Sequence, residues 1–184
     1  MQTIELDHSA REFIDQVEYL SHSHLSRCWH CLTCSGGCPF SEDMDYMPNT
    51  IIRMIQFGLK EKALSCSTIW LCVGCNTCAM ECPNGVDVAA VMDGLRQLAI
   101  QEKIPVAEPG ILSFHNAVID SIARYGRTHK LEIMMRYKLA SRDLFSDIDL
   151  GFKMMSRRKL DLMPSKVRDR ESIRNIFKQN KAGR

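Results

Sequence analysis

Cysteine spacing constrains this chain more than any other feature. Eight of its nine cysteines fall in two runs, Cys28-x2-Cys31-x2-Cys34-x3-Cys38-Pro39 and Cys72-x2-Cys75-x2-Cys78-x3-Cys82-Pro83, each position recurring 44 residues later. A match at one fixed offset marks an internal repeat. Cysteines spaced by three along a tight turn can direct their sulfurs into one concavity, with the intervening amides wrapped around it as donors. The three-residue gap and the proline then carry the fourth cysteine away. Pro39 and Pro83 fix φ, donate no N–H and push Cys38 and Cys82 into extended geometry. Gly36 and Gly37 allow positive φ or close backbone approach in the first run, where the second has Met80 and Glu81.

This spacing is that of a pair of cubane iron–sulfur clusters, in which the fourth cysteine of each run ligates the cluster of the other. It assigns Cys28, Cys31, Cys34 and Cys82 to one [4Fe–4S] cluster, and Cys72, Cys75, Cys78 and Cys38 to the second. Structural zinc takes four ligands, usually as two separated pairs, and has no use for a third cysteine and a fourth before proline, twice over. Disulfides fit an oxidising compartment, and no secretory signal is visible before the runs. A thioredoxin-like Cys-x-x-Cys leaves the other six cysteines unexplained. The pattern points to an electron relay more than to bond-making chemistry.

At 184 residues and 45% hydrophobic content the chain is expected to form one packed domain, or one and a fraction. No apolar run reaches the roughly 18 residues that a membrane helix needs, so no direct span is expected. Met1 to Leu20 carries no signal-peptide apolar region, and oxygen-labile clusters suit a cytoplasmic home. The net charge of +2 is unevenly distributed: residues 1–110 hold 7 Lys/Arg against 14 Asp/Glu, and residues 151–184 hold 11 against 3. Such a tail suits an acidic partner subunit. It lacks the aromatic interleaving and motifs of a nucleic-acid binder, and none is expected as a partner.

Periodicity divides the chain into an N-terminal helix over 1–20, a cluster-binding domain over 21–104 and a helical extension over 105–184. Ser9-Ala10-Arg11-Glu12 reads as a capping box ahead of Phe13, Ile14, Val17 and Leu20. Between the runs, Pro48 opens a helix with Ile51, Ile52, Ile55 and Leu59 on one face. Asn84-Gly85 is a turn signal, and Val88, Val91, Leu95 and Leu98 form a helical stripe that Pro105 is expected to stop. Pro105 to Gly110 is the best boundary. Ile111, Phe114, Val118 and Ile122 predict a helix ending near Gly126; Leu131, Met134, Met135 and Leu139 predict another; Ile173–Phe177 predicts a short last one. No alternating strand pattern is visible, so the fold class is all-α.

With the runs CWHCLTCSGGCP and CVGCNTCAMECP and a helical spacer, the chain resembles the helical ferredoxin module also seen in the iron–sulfur subunits of fumarate reductase and succinate dehydrogenase. Downstream, Phe114-His115, Tyr125-Gly126-Arg127, Glu132, Tyr137-Lys138, Leu150-Gly151 and Leu162-Met163-Pro164 resemble the tail of the C subunit of heterodisulfide reductase. That resemblance, over residues 20–165, implies two [4Fe–4S] clusters carrying electrons between a flavin-containing A subunit and a B subunit. The B subunit reduces the coenzyme M–coenzyme B heterodisulfide at clusters held by CCG motifs, a step of methanogenesis. In the flavin-bifurcating form a hydrogenase or formate dehydrogenase joins the complex. Only the eight cysteines carry over as ligands, and this sequence has no Cys-Cys dipeptide. No catalytic residue is therefore expected in this oxidoreductase subunit.

Other functions compete with this one. An iron–sulfur subunit of a quinone-linked or glycerol-3-phosphate dehydrogenase would carry the same runs. A freely diffusing ferredoxin has no use for the long extension, and a structural cluster in a nucleic-acid protein rarely needs two adjacent clusters. Among single residues, Cys66 reads as small and buried, and His30 as structural rather than as a tuning donor. The methionines read as core or interface filler. Trp29 and Trp70, each beside a run, are expected to shield a cluster from water.

Overall fold

The computed structural model describes residues 8–141, 153–154, 156–157, 167 and 169–182. Much of the basic tail lies outside these residues, as do Leu150-Gly151, Leu162-Met163-Pro164 and Met155. Helices account for all regular structure among the described residues, in the all-α class expected. The chain divides into two compact units, Met1–Glu108 and Pro109–Arg184.

In the first unit, α1 (His8–Ser21) buries Phe13 and Val17 and packs along α7 (Val88–Gln101). The helix already includes His8, so Ser9 sits inside its first turn and not at a cap. Short turns α2 (Thr33–Gly36) and α6 (Thr77–Met80) lie within the cysteine runs. Between them come α3 (Pro48–Gln56), α4 (Lys60–Ser65) and α5 (Thr68–Leu71). Pro48 opens α3 at the first helical turn, where a missing N–H costs nothing. Ile51, Ile52, Ile55, Leu64 and Ile69 are fully buried, so the spacer between the runs is core and not linker. Asp45 anchors the intervening loop: its carboxylate accepts from the backbone N–H of Ser67 and of Thr68, each at 2.9 Å.

Helix α7 is the centre of this unit. Asp87 caps it by accepting from Ala90 N at 2.9 Å, and Val88, Val91, Leu95 and Leu98 all face the interior. It ends at Gln101, earlier than Pro105 requires. Lys103 takes positive φ (57°), and Ile104 N–H closes back onto Ala99 O at 3.0 Å, so a local cap ends the helix before the proline is reached.

In the second unit, α8 (Pro109–Tyr125) packs against α9 (Lys130–Ser141) and α10 (Arg170–Ala182). The helix predicted from Leu131, Met134, Met135 and Leu139 is α9, whose buried residue is Ile133, while Met135 and Leu139 are 59% and 62% exposed. Helix α10 is longer than the apolar pattern predicted. Asp169 caps it, with Ser172 N–H at 3.1 Å from Oδ1, a polar start signal outside the Ile173–Phe177 stripe.

The turn between α3 and α4 gives a stability test. Gly58 has φ +66°, and a Cβ there would collide with Ala10 Cβ; Gly85 has φ +65° with nothing within 4 Å. Gly85→Ala should incur only the left-handed backbone penalty of about 1–2 kcal/mol. Gly58→Ala should lower the thermal midpoint further, because α1 must also shift. Equal midpoints for the two variants would mean that the approach of Ala10 has no energetic weight.

Candidate metal centre

Both cysteine runs have the same backbone. Leu32 and Asn76, equivalent in the repeat, each take a left-handed conformation (φ 67° and 61°) and start a four-residue helical turn. His30 and Gly74, also equivalent, have φ 56° and 65°. The hydrogen bonds repeat as well: Gly37 N–H to Thr33 O and Glu81 N–H to Thr77 O are both 3.0 Å, and Cys38 N–H to Ser35 O and Cys82 N–H to Ala79 O are both 3.4 Å. Neither Gly36 nor Gly37 uses positive φ, Gly37 having φ −89°, but a Cβ at Gly37 would lie 3.4 Å from the Thr33 carbonyl oxygen, so close backbone approach holds there; at Gly36 nothing lies within 4 Å. The left-handed positions lie between the first three cysteines, where the chain must curl tightly, and not after them. Three of those four are not glycine, which marks a backbone held by its surroundings.

Two cavities result. One is lined by Cys28, Cys31, Cys34 and Cys82, together with Trp29, His30 and Asn49. The other is lined by Cys38, Cys72, Cys75 and Cys78, together with Phe40 and Met92. Each takes three cysteines from one run and the fourth from the other. Val88, 3% exposed at the start of α7, lies in the walls of both. Four soft thiolate donors around a pocket several atoms wide suit an iron–sulfur cluster.

Electrostatics differ systematically within each foursome. Cys31 and Cys75 are exposed, and their thiols are held below the usual range by the Thr33 and Thr77 hydroxyls, at 3.3 Å and 3.5 Å, with help from the backbone of the same threonines. Burial pushes Cys34 up, and the neighbouring Cys28 and Cys31 add to this. Burial also raises Cys72, opposed by the Gly74 backbone and by the Arg96 guanidinium. Cys78 is pushed up to about 11 by burial and then by Cys72, Cys34 and Cys75. Thiols so crowded stay protonated until a cation is there to neutralise them, so metal uptake must release protons. At Cys82, the Val86 N–H points to Sγ at 3.3 Å, a donor of the kind that stabilises sulfur charge.

Sequence reasoning missed the threonines, although their recurrence at the repeat offset was visible. It also missed Val88 as a shared wall, because the residue read as one more member of a core stripe. His30 engages Gln56: its Nε2 is 2.9 Å from Oε1, and the Gln56 amide is oriented by donating to Leu25 O at 2.8 Å. That leaves His30 structural. The two tryptophans part company. Trp70 is 2% exposed and belongs to the core, while Trp29 is 81% exposed at the rim of its cavity and covers little. Cys66 is buried, donates to Ala63 O at 3.2 Å and is pushed up to about 11 by burial.

Residues 24–86 match the 4Fe-4S dicluster domain family. The chain is thus an iron–sulfur protein that resembles the C subunits of heterodisulfide reductases. It is 31% identical over 98 residues to the iron–sulfur C subunit of the CoB–CoM heterodisulfide reductase of Methanopyrus kandleri, covering 53% of this chain and 50% of the relative. It is 33% identical over 82 residues to the C subunit of the H2:CoB–CoM heterodisulfide,ferredoxin reductase of Methanothermobacter marburgensis, covering 45% and 44%. Against an iron–sulfur C subunit of the CoB–CoM heterodisulfide reductase of Methanocaldococcus jannaschii it is 30% identical over 111 residues, covering 55% and 59%. The chain spans about half the length of the curated relatives it matches. No described helix is long and apolar enough to cross a membrane.

With iron and sulfide removed, Cys31 and Cys75 should be the fastest thiols to alkylate near neutral pH, and Cys66 the slowest. Thr33→Val should slow Cys31 several-fold and leave Cys75 unchanged. Peptide mass spectrometry gives each rate. Preferential labelling of Cys66 would contradict the environments described above.

Proposed function

We propose that the chain is a non-catalytic electron-transfer subunit of a heterodisulfide reductase complex, holding two [4Fe–4S] clusters. Cys28, Cys31, Cys34 and Cys82 would hold one cluster, and Cys38, Cys72, Cys75 and Cys78 the other. The observation that carries this reading is the lining of the two cavities, each completed by the fourth cysteine of the opposite run. Bound there, the clusters supply one-electron redox chemistry without making or breaking substrate bonds.

The chain's own residues would do the rest. Thr33 and Thr77 donate to the exposed ligand sulfurs, Val86 N–H donates to Cys82, and the apolar walls from Val88 and Met92 limit water. Trp29 and Leu32 beside one site, and Val73 and Met80 beside the other, are exposed apolar residues fitted to docking faces. Electrons would pass from a flavin-containing A subunit to a CCG-containing B subunit that reduces the coenzyme M–coenzyme B heterodisulfide in methanogenesis. A hydrogenase or formate dehydrogenase would supply them, in the cytoplasm. The second unit and the basic residues of 151–184 would bind a partner subunit, supported by their charge balance. The lack of any Cys-Cys dipeptide in the sequence supports conduction over disulfide cleavage.

Cluster pairing can be tested directly. Anaerobically purified protein should carry about eight irons and about eight sulfides per chain. Cys82→Ser should perturb the same EPR component as Cys31→Ser, and Cys38→Ser the same one as Cys75→Ser. If Cys38→Ser instead matched Cys31→Ser, each run would close its own cluster.

Competence is a separate measurement. The purified chain should accept electrons from a low-potential dye yet leave the heterodisulfide intact until a CCG-containing subunit is added. Turnover by the chain alone would overturn the relay assignment.

A further inference from the structure

The repeat equalises the ligand loops of the two sites but not their surroundings. Arg96, on α7, donates from Nη1 to Cys72 O at 3.0 Å, and its side chain is only 13% exposed. Its nearest carboxylate is Asp93, at 3.4 Å from Nη2, which is 60% exposed and further occupied by Gln97. Water therefore screens the carboxylate more than the guanidinium, and a net positive field remains at the second run. Among the described residues no Lys or Arg lines either cavity, and the difference lies in the bond to the ligand backbone. Among those residues the first site shows no such bond from a Lys or Arg to a ligand's carbonyl: Arg53 reaches Gln56 Oε1 at 3.4 Å instead, the histidine is engaged with the same Gln56, and the position equivalent to Arg96 in the repeat is the buried Ile52.

We propose that Arg96 sets the potential of the second site, making the position held by Cys38, Cys72, Cys75 and Cys78 the one that retains a single added electron. The inference rests on the cluster assignment above. A reduced cluster carries one more negative charge than an oxidised one, and a fixed cation in a poorly solvated setting favours the reduced form. An electron shared between the sites then leaves the Cys28 site oxidised and the Cys72 site reduced, with no proton moved and no bond changed. Arg96 touches the ligand's backbone and not its sulfur, so it acts as a positioning and tuning residue.

The test is EPR-monitored redox titration of the full-length, anaerobically isolated chain beside Arg96→Gln and Arg96→Lys. In Arg96→Gln, the component that Cys75→Ser identifies should lose reduced fraction about tenfold at a fixed potential, equivalent to about 59 mV for one electron. The component identified by Cys31→Ser should move much less, and iron and sulfide should stay at the wild-type level. Arg96→Lys keeps the charge without the planar fork and should restore most of the shift. Unmoved potentials in Arg96→Gln at full iron content would overturn the proposal, as would equal shifts of both components. So would a lysine variant that behaves like the glutamine variant, since the hydrogen bond and not the charge would then matter. Failure of the wild-type chain to bind clusters would bring down the cluster reading itself, a result distinguishable from all of these.

Discussion

In each cysteine run the first three cysteines line one cavity and the fourth lines the other. A left-handed residue, Leu32 or Asn76, turns the chain between the second and third cysteines. Each half is therefore incomplete until the other is in place. The spacer between the runs brings them together, and its apolar content makes that arrangement stable. Leu32 is held left-handed against its own preference, and the fully buried Ile51, Ile52, Ile55, Leu64 and Ile69 supply the apolar core beneath the loops.

Legibility followed the range of the interaction. The cysteine runs were readable because ligand spacing is local, and the helices of α3 and α7 because their apolar period runs over several turns. The helix ends were read less well. Lys103 and Asp169 terminate or start helices through single polar or left-handed residues that leave no apolar trace. Gly36 and Gly37 leave unused the positive φ that glycine permits without demanding it, while Leu32 and His30 adopt it. Trp29 and Trp70 are equally close to a run in sequence, and only the fold separates the rim from the core.

The comparison of the two halves separates what cluster ligation demands from what it leaves open. The threonine after the second cysteine, the left-handed residue before it and the hydrogen bonds of the turn are kept in both. The environment beyond the loops is not. One site faces a histidine tied to Gln56, the other a guanidinium tied to a ligand's carbonyl. A duplicated frame with unequal neighbours is a direct way to obtain two sites of the same chemistry and different electron affinity.

Val88 sits in both cavity walls. A side chain shared in this way couples the volumes of the two pockets. A larger or smaller residue at position 88 would reshape both at once, and the loop of one run could not be resized without moving the wall of the other.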